Sequence, residues 1–327
     1  MKALITGGAG FIGSHLSEYL LSLGHFVTTV DTLSTGQREN ISHLLPHERF
    51  RFVEGSVTDR SLLKAPVEHC DIIFHLAAVV GVKLVVSSPL KTLETNVRGT
   101  EIVLQVAQEK QKKVLLASSS EVYGKGVKLP FNEDDDRLLG PTSSARWSYA
   151  ASKALDEFMA LAYHQEYGLP VVIFRLFNTV GPRQTGRYGM VIPRFVQQAL
   201  NNEPLTVYGN GEQTRCFCDV ADAVRAITAL ATAPEAVGKI FNIGNNQEIS
   251  IARLAQEVIN LTGSHSNIQY ISYEDAYGPG FQDMARRVPD IGKIKEVADW
   301  QPTYSLTEIL ERVIGYYKEK DASGDRE

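Results

Sequence analysis

Short, β-branched, apolar runs recur through the first half of the chain, at Ala3–Thr6, Val27–Asp31, Phe50–Glu54, Ile72–Ala77, Val114–Ser118 and Val171–Leu176, with stretches of helical spacing between them. Strands that alternate with helices build βαβ units, and a sheet made that way is parallel and covered on both faces. The pattern therefore predicts an α/β chain with a doubly wound parallel sheet. Two of the helices matter later. Ser88-Pro89 supplies an N-cap and a first helical residue, after which Leu93, Val97, Leu104 and Ala107 fall near one face. Tyr149 to Tyr167 form a second, with Leu155, Phe158, Met159 and Ala162 on one side, and it stops at Gly168 ahead of Pro170.

After about Phe177 the alternation gives way to Gly- and Pro-rich connections such as Gly181-Pro182, Gly209-Asn210-Gly211 and Gly278-Pro279-Gly280. The expectation is a first domain over residues 1–177, rejoined by return segments from about 216–244, and a smaller mixed α/β substrate lobe over 178–327. No internal repeat is visible, and only Lys318–Glu327 reads as a disordered end.

Composition narrows the partners. With 327 residues, 43% of them apolar, the chain can bury one large core or two that share a cleft. A formal charge of −5 with no basic block argues against nucleic acid or an anionic membrane, so the partner is small. Cys70, Cys216 and Cys218 have no metal-type spacing and read as reduced thiols. No signal-peptide order precedes the first strand, and the apolar runs are too short to span a bilayer, so a cytoplasmic protein is expected.

The first strand runs into Gly7-Gly8-Ala9-Gly10-Phe11-Ile12-Gly13 and then a helix. That is what a dinucleotide diphosphate needs: a turn at Gly7, close backbone approach at Gly10, tight helix–strand packing at Gly13, and phosphate charge on the helix N-terminus. Asp31, at the end of the second strand, would accept from the adenosine ribose hydroxyls and repel a 2′-phosphate, favouring NAD over NADP, with Arg38 nearby as the opposing feature. Tyr149 and Lys153 place a phenol and an ammonium one helical turn apart. The strand ending Ser118-Ser119-Ser120-Glu121 leaves hydroxyls at the C-terminal sheet edge, where open α/β folds bind ligands.

With these pieces in place the sequence resembles the extended short-chain dehydrogenase/reductases, Rossmann-fold enzymes of nucleotide sugars, over nearly its whole length. The matching segments are the glycine turn, His75-Leu76-Ala77-Ala78, Asn96-Val97-Arg98-Gly99-Thr100, Ser119 to Gly124, Tyr149 to Lys153, Arg175 to Arg183 and Val207 to Arg215. The resemblance implies bound NAD and oxidation of a sugar C4 hydroxyl, with Tyr149 as base, Ser119 hydrogen-bonding the same hydroxyl, and Lys153 holding the nicotinamide ribose. A free phenol ionises near ~10, and the Lys153 ammonium and the nicotinamide charge would both favour phenolate. Ser56, Val57, Leu76, Ala77, Ala78 and Asn96 are implied at the cofactor. Ser120, Asn178, Arg183, Arg187, Val191, Tyr208, Arg215 and Arg287 are implied at the substrate, with Asn178 and Arg215 on the diphosphate and Tyr208 on the nucleoside. Ser56 departs from the aspartate that usually contacts adenine, and Thr32 from the asparagine that often follows the ribose-binding acid.

A 4-ketone can be reduced from the other face, lose water, or lose carbon dioxide if C6 is a carboxylate. Dehydratases resemble Thr-Asp-Glu where this chain has Ser119-Ser120-Glu121, so the acid for dehydration is missing. Glu121 and the segment Phe281 to Ile291, with Arg287, are similar to those of UDP-glucuronate decarboxylases, which implies a UDP-sugar substrate, decarboxylation of UDP-glucuronate to UDP-xylose, and catalytic roles for Glu121 and Arg287. Ser119 in place of threonine, and Lys83 and Arg187 as further cations, keep a UDP-hexuronate 4-epimerase as the alternative; an inactive NAD-binding regulator is the reading from another class. Asp134-Asp135-Asp136 reads as a solvated loop, and no metal is assigned. The resemblance also implies a homodimer through helices 89–109 and 149–167.

Overall fold

The computed structural model describes residues 1–81, 85, 88–186, 189–278 and 284–323. Lys83, Arg187 and the Phe281–Asp283 start of the Arg287 segment lie outside the described residues.

The apolar runs form β1 (Lys2–Thr6), β2 (Phe26–Asp31), β3 (Phe50–Glu54), β4 (Ile72–His75), β5 (Lys113–Ser119) and β6 (Val171–Leu176). They are joined by β11 (Lys239–Ile243) in a seven-stranded sheet of order β11-β6-β5-β4-β1-β2-β3. Every pairing within it is parallel. Ile72 to His75 are buried throughout, which is why this strand shows no polar alternation. One face packs Leu16, Leu20, Val224 and Ile227 from helices Phe11–Ser22 and Val220–Thr232. The other packs Leu63, Val103, Val106 and Ala160 from helices Arg60–His69, Gly99–Glu109 and Ser148–Tyr167. Strand order reverses between β1 and β4, so the connections leaving their C-terminal ends run to opposite faces of the sheet and open a crevice.

A separate core draws only on residues from Val180 onward, with Phe195, Val196, Leu254, Val258, Leu310 and Val313 fully buried or nearly so. Its helices are Val191–Leu200, Ile251–Thr262 and Leu306–Ser323. Short pairings accompany them: β7 (Thr179–Val180) with β10 (Cys218–Asp219), β8 (Leu205–Tyr208) with β13 (Ile268–Ile271), and β9 (Thr214–Cys216) with β12 (Glu248–Ser250).

Two expectations need correcting. The helix beginning at Pro89 is not one regular α-helix: Glu94–Arg98 forms a π turn between Pro89–Leu93 and Gly99–Glu109. The residue that this turn carries inward is Asn96, which is fully buried and whose carboxamide bonds the Val79 backbone. The chain beyond Lys318 is not disordered as far as Ser323, because the last helix continues to that residue. Tyr317 anchors it, buried and donating its hydroxyl to the Gln184 carbonyl at 2.8 Å. Among the described residues no helix is long and apolar enough to cross a membrane.

Candidate active site

A cleft of about 500 Å³ runs from the glycine turn, past the ends of β4 and β5, to Tyr208 and Arg215. At one end Gly7 has a positive φ of 73°, and a Cβ on Gly13 would stand 2.1 Å from the Gly7 carbonyl oxygen. Side chains at these positions would fill the space that the turn leaves against the start of helix Phe11–Ser22, whose first N–H groups have no partner in the helix. The Asp31 carboxylate accepts from the Ala9 and Leu33 N–H groups at 3.0 and 2.8 Å. Burial pushes its carboxyl above the usual range, against these bonds. Arg38 is drawn away from it, pairing with Glu54 at 3.6 Å and lying over the Phe52 ring. Turn, helix start and buried ribose-side acid together fit a dinucleotide without a 2′-phosphate.

The predicted residues Gly10, Phe11, Ile12, Ser56, Val57, Leu76, Ala77 and Ala78 also line this half of the cleft. Asn96 does not; it lies behind the wall, holding the Val79 N–H at 2.7 Å and reaching the Ser152 hydroxyl at 3.3 Å.

At the centre, β5 ends in Ser119, and a 3₁₀ turn over Ser120–Tyr123 follows. The Ser119 hydroxyl accepts the Glu121 N–H at 3.2 Å and hydrogen-bonds the Tyr149 phenol. Burial raises that phenol above its ordinary value, while Lys153 and Ser119 pull the other way. In the protein alone, therefore, Lys153 does not outweigh burial. Lys153 is itself held by Asp156 at 2.8 Å, with both side chains buried.

Glu121 lies between two arginines, with Arg146 at 2.6 Å on one oxygen and Arg287 at 2.7 Å on the other. All three are buried and line the cleft. Burial alone would raise the Glu121 carboxyl, but the Arg287 and Arg146 guanidiniums outweigh it and hold it at about 2. The two guanidiniums thus favour the Glu121 carboxylate over its protonated form. Arg287 also reaches the Ser120 hydroxyl at 3.4 Å. Sequence reasoning missed Arg146, which sits in the 3₁₀ turn Ala145–Trp147 ahead of the Tyr149 helix and whose partner Glu121 lies on another segment of the chain.

Behind these groups, Arg175 on β6 bonds Glu157 twice, at 2.9 and 2.8 Å, and Glu157 also takes the Ser118 hydroxyl at 2.5 Å. Arg175 further donates to the Tyr123 hydroxyl at 2.8 Å, and the Tyr123 hydroxyl to Asn242 at 2.7 Å. Strand, catalytic helix and the far strand β11 are so joined under the site.

At the other end of the cleft, Asn178 donates to the Cys216 carbonyl at 2.9 Å, Arg215 to the Thr214 carbonyl at 2.7 Å, and Val191 begins its helix. The Tyr208 ring carries the Arg194 guanidinium 4.2 Å from its centroid, a second cation that sequence reasoning missed. Arg183 faces back toward the glycine turn: it bonds the Ser14 hydroxyl at 3.1 Å and Glu18 at 2.5 Å, while His15 bonds the Pro182 carbonyl.

Comparison with known proteins matches this architecture. The chain is 45% identical to a UDP-N-acetyl-alpha-D-glucosaminuronate decarboxylase of Bacillus cytotoxicus, over 97% of this chain and 98% of that one. It is 38% identical to UDP-glucuronic acid decarboxylase 1 of Xenopus tropicalis, over 98% of this chain and 72% of the relative. Among solved structures, the UDP-glucuronic acid 4-epimerase of Bacillus cereus, in complex with UDP-glucuronic acid and NAD, superposes with a TM-score of 0.87 at 29% identity, covering 98% of this chain and 99% of that one. The model of the NAD-dependent epimerase/dehydratase family matches residues 3–244, and the chain belongs to that family.

Proposed function

We propose that the protein decarboxylates a UDP-hexuronate, UDP-glucuronate to UDP-xylose being the reference reaction, through a 4-keto sugar. The observation that carries this reading is the Arg146–Glu121–Arg287 cluster beside Tyr149 and Ser119. Both guanidiniums line the cleft wall next to Tyr149 and Ser119. The C6 carboxylate of a uronate can accept charge-assisted hydrogen bonds from guanidiniums placed there, which the C6 hydroxyl of a hexose cannot match. The names of the Bacillus and Xenopus relatives support the same reaction type.

In this reading Gly7, Gly10 and Gly13 with the Phe11 and Ile12 N–H groups hold the cofactor diphosphate. Asp31 holds the adenosine ribose, Ser56 and Val57 flank adenine, Leu76, Ala77 and Ala78 form the wall, and Asn96 fixes that wall through Val79. NAD held there would supply the acceptor for the C4 hydride and the means of its return. Tyr149, hydrogen-bonded to Ser119, takes the C4 hydroxyl proton. With C4 a ketone, the C6 carboxylate is β to it: the C5–C6 bond breaks, carbon dioxide leaves, and the electron pair passes to the C4 oxygen as an enolate. The Ser119 and Tyr149 hydroxyls hydrogen-bond that oxygen. C5 then takes a proton from solvent, and on reduction Tyr149 returns its proton to O4. Asn178 and Arg215 hold the UDP diphosphate, Tyr208 with Arg194 the nucleoside, and Val191 and Arg183 close that end. The cofactor lobe is residues 1–177 with the return at 216–244, and the sugar-nucleotide lobe begins at residue 178.

The test is an NMR time course in D₂O with UDP-glucuronate, and in parallel with UDP-N-acetylglucosaminuronate, the compound in the name of the Bacillus relative. A UDP-pentose with deuterium at C5 and released bicarbonate is the expected product; UDP-galacturonate with no bicarbonate would replace this reading with the 4-epimerase. The larger kcat/KM of the two substrates fixes the C2 substituent.

A cytoplasmic homodimer completes the reading. Leu155 and Phe158 on helix Ser148–Tyr167, and Leu90 on Pro89–Leu93, are exposed by 46, 59 and 68%. Together they make an apolar face suited to a second copy. Light scattering at micromolar concentration is expected to give twice the 36.1 kDa chain mass, and Phe158→Glu the single mass; a wild-type monomer would reject the dimer.

A further inference from the structure

The acids around Tyr149 and Lys153 differ in how their charge is balanced. Glu121 has Arg146 and Arg287, and Glu157 has Arg175 and Arg137. His75, facing the same group from β4, is held neutral, burial pushing it down to about 3. Among the described residues Asp156 has no arginine partner. Among the described residues its ion-pair partner is Lys153, at 2.8 Å, and its side chain is completely buried. Thr100, on the neighbouring helix, hydrogen-bonds its carboxyl, and the Thr100 hydroxyl in turn meets His75 Nε2 at 3.1 Å. The other carboxyl oxygen, Oδ1, is buried with no hydrogen-bond partner among the described residues.

We infer that Asp156 is a positioning residue that makes the ionisation of Tyr149 conditional on the oxidised cofactor. The reasoning is electrostatic. Lys153 favours the phenolate because it is a cation one turn from the phenol; a carboxylate in direct contact with that ammonium cancels part of its field at the phenol oxygen. Asp156 also gives the buried ammonium a counterion and a fixed direction before any ligand is present. With both effects in place, Lys153 alone leaves Tyr149 protonated, and the positive charge of oxidised NAD is what tips the balance toward phenolate. When the nicotinamide ring is reduced that charge is gone, and Asp156 again favours the protonated phenol, the form in which Tyr149 keeps a proton to return.

The inference rests on the placement of Tyr149 as base, not on which sugar is turned over. It is read without substrate, by ultraviolet difference titration of tyrosinate, each protein measured against its own Tyr149→Phe counterpart, ligand-free and saturated with NAD+ or NADH. In the wild type NAD+ is expected to lower the Tyr149 midpoint and NADH to leave it near the ligand-free value. Asp156→Asn keeps shape and hydrogen bonding but removes the charge, and should lower the midpoint by about 0.5–1 pH unit in all three states, in line with the usual effect of a nearby like charge. Asp156→Glu should restore the wild-type titration. If Asp156→Asn does not fold, Asp156→Ser removes the same charge with less bulk and is read in the same way. A midpoint that stays at the wild-type value, or rises, in the charge-removed protein overturns the inference, and so does an NADH complex that titrates like the NAD+ complex. Failure of the UDP-hexuronate assay with the expected titration shifts would sink the proposed substrate and leave Asp156's role standing.

Discussion

Tyr149→Phe should lower kcat on a UDP-hexuronate by ~10³-fold or more, within the range that a positioned acid–base group contributes, and leave the folded structure unchanged. The phenyl ring fills the same buried space, so packing on helix Ser148–Tyr167 is preserved. Only the proton acceptor is lost. The wild-type pH profile should show why. Burial holds the phenol above its ordinary value in the protein alone, so kcat/KM should fall as pH drops below the cofactor-lowered Tyr149 midpoint, with the slope of one ionisation. Glu121, held at about 2, cannot produce that limb. Steady-state rates between pH 5 and 10 for both proteins check this. A Phe variant that keeps a tenth of wild-type kcat would remove Tyr149 from the role of base.

The second large effect concerns stability. Arg175→Met leaves Glu157 buried with, among the described residues, the longer contact to the partly exposed Arg137 at 3.3 Å as its remaining ion pair, and strips a donor from Tyr123. Breaking one side of a buried ion pair costs about 3–5 kcal/mol, and urea unfolding monitored by circular dichroism should show a loss of that size. Adding Glu157→Met should recover part of it, because the stranded charge goes with the second substitution. A single-variant loss below about 1 kcal/mol, less than a typical net hydrogen bond plus desolvation, would mean that water reaches Glu157 and that the network is not the tie between β5, β6 and the catalytic helix.

These two predictions also mark what the sequence could and could not reveal. Val171–Leu176 was legible because a parallel strand buried on both faces is apolar along most of its length, and Phe50–Glu54, at the sheet edge and only partly buried, still lies where the pattern puts it. The glycine turn, Asp31, Ser119, Tyr149 and Lys153 were legible because a short segment of known spacing carries each of them, and the structure gathers them along one cleft. The π turn was not, since one extra residue per turn changes no residue type and shows only where Asn96 is drawn inward. Arg146, Asp156 and Arg194 were not, because a charged residue on an amphipathic helix looks the same whether its tip meets water or a buried partner. What distinguishes Arg146 and Arg194 is a contact across the fold, with Glu121 and with Tyr208, that no local pattern encodes; Asp156 meets Lys153 three residues back, and only burial sets that pair apart from an ordinary surface one. The helical continuation to Ser323 was hidden for a similar reason: Lys318, Glu319 and Lys320 suit a frayed end as well as a solvated helix, and Tyr317 settles the matter from the preceding turn.

The bonds from Arg183 and Pro182 to Ser14, Glu18 and His15 join the loop after β7 to the first turns of the helix that faces the cofactor diphosphate. Arg183 holds this position with a positive φ of 68°, a conformation that a side-chain-bearing residue adopts only when its surroundings fix it. Two ligand sites on one chain belong to one thermodynamic cycle, and this strut is a physical route by which occupancy of one can bear on the other. Whatever factor a resident dinucleotide contributes to the affinity for the sugar nucleotide must come back unchanged as the factor by which the sugar nucleotide retains the dinucleotide. A factor greater than one would hold the cofactor more firmly while the sugar nucleotide is bound, which suits a reaction that returns its hydride to the molecule it came from.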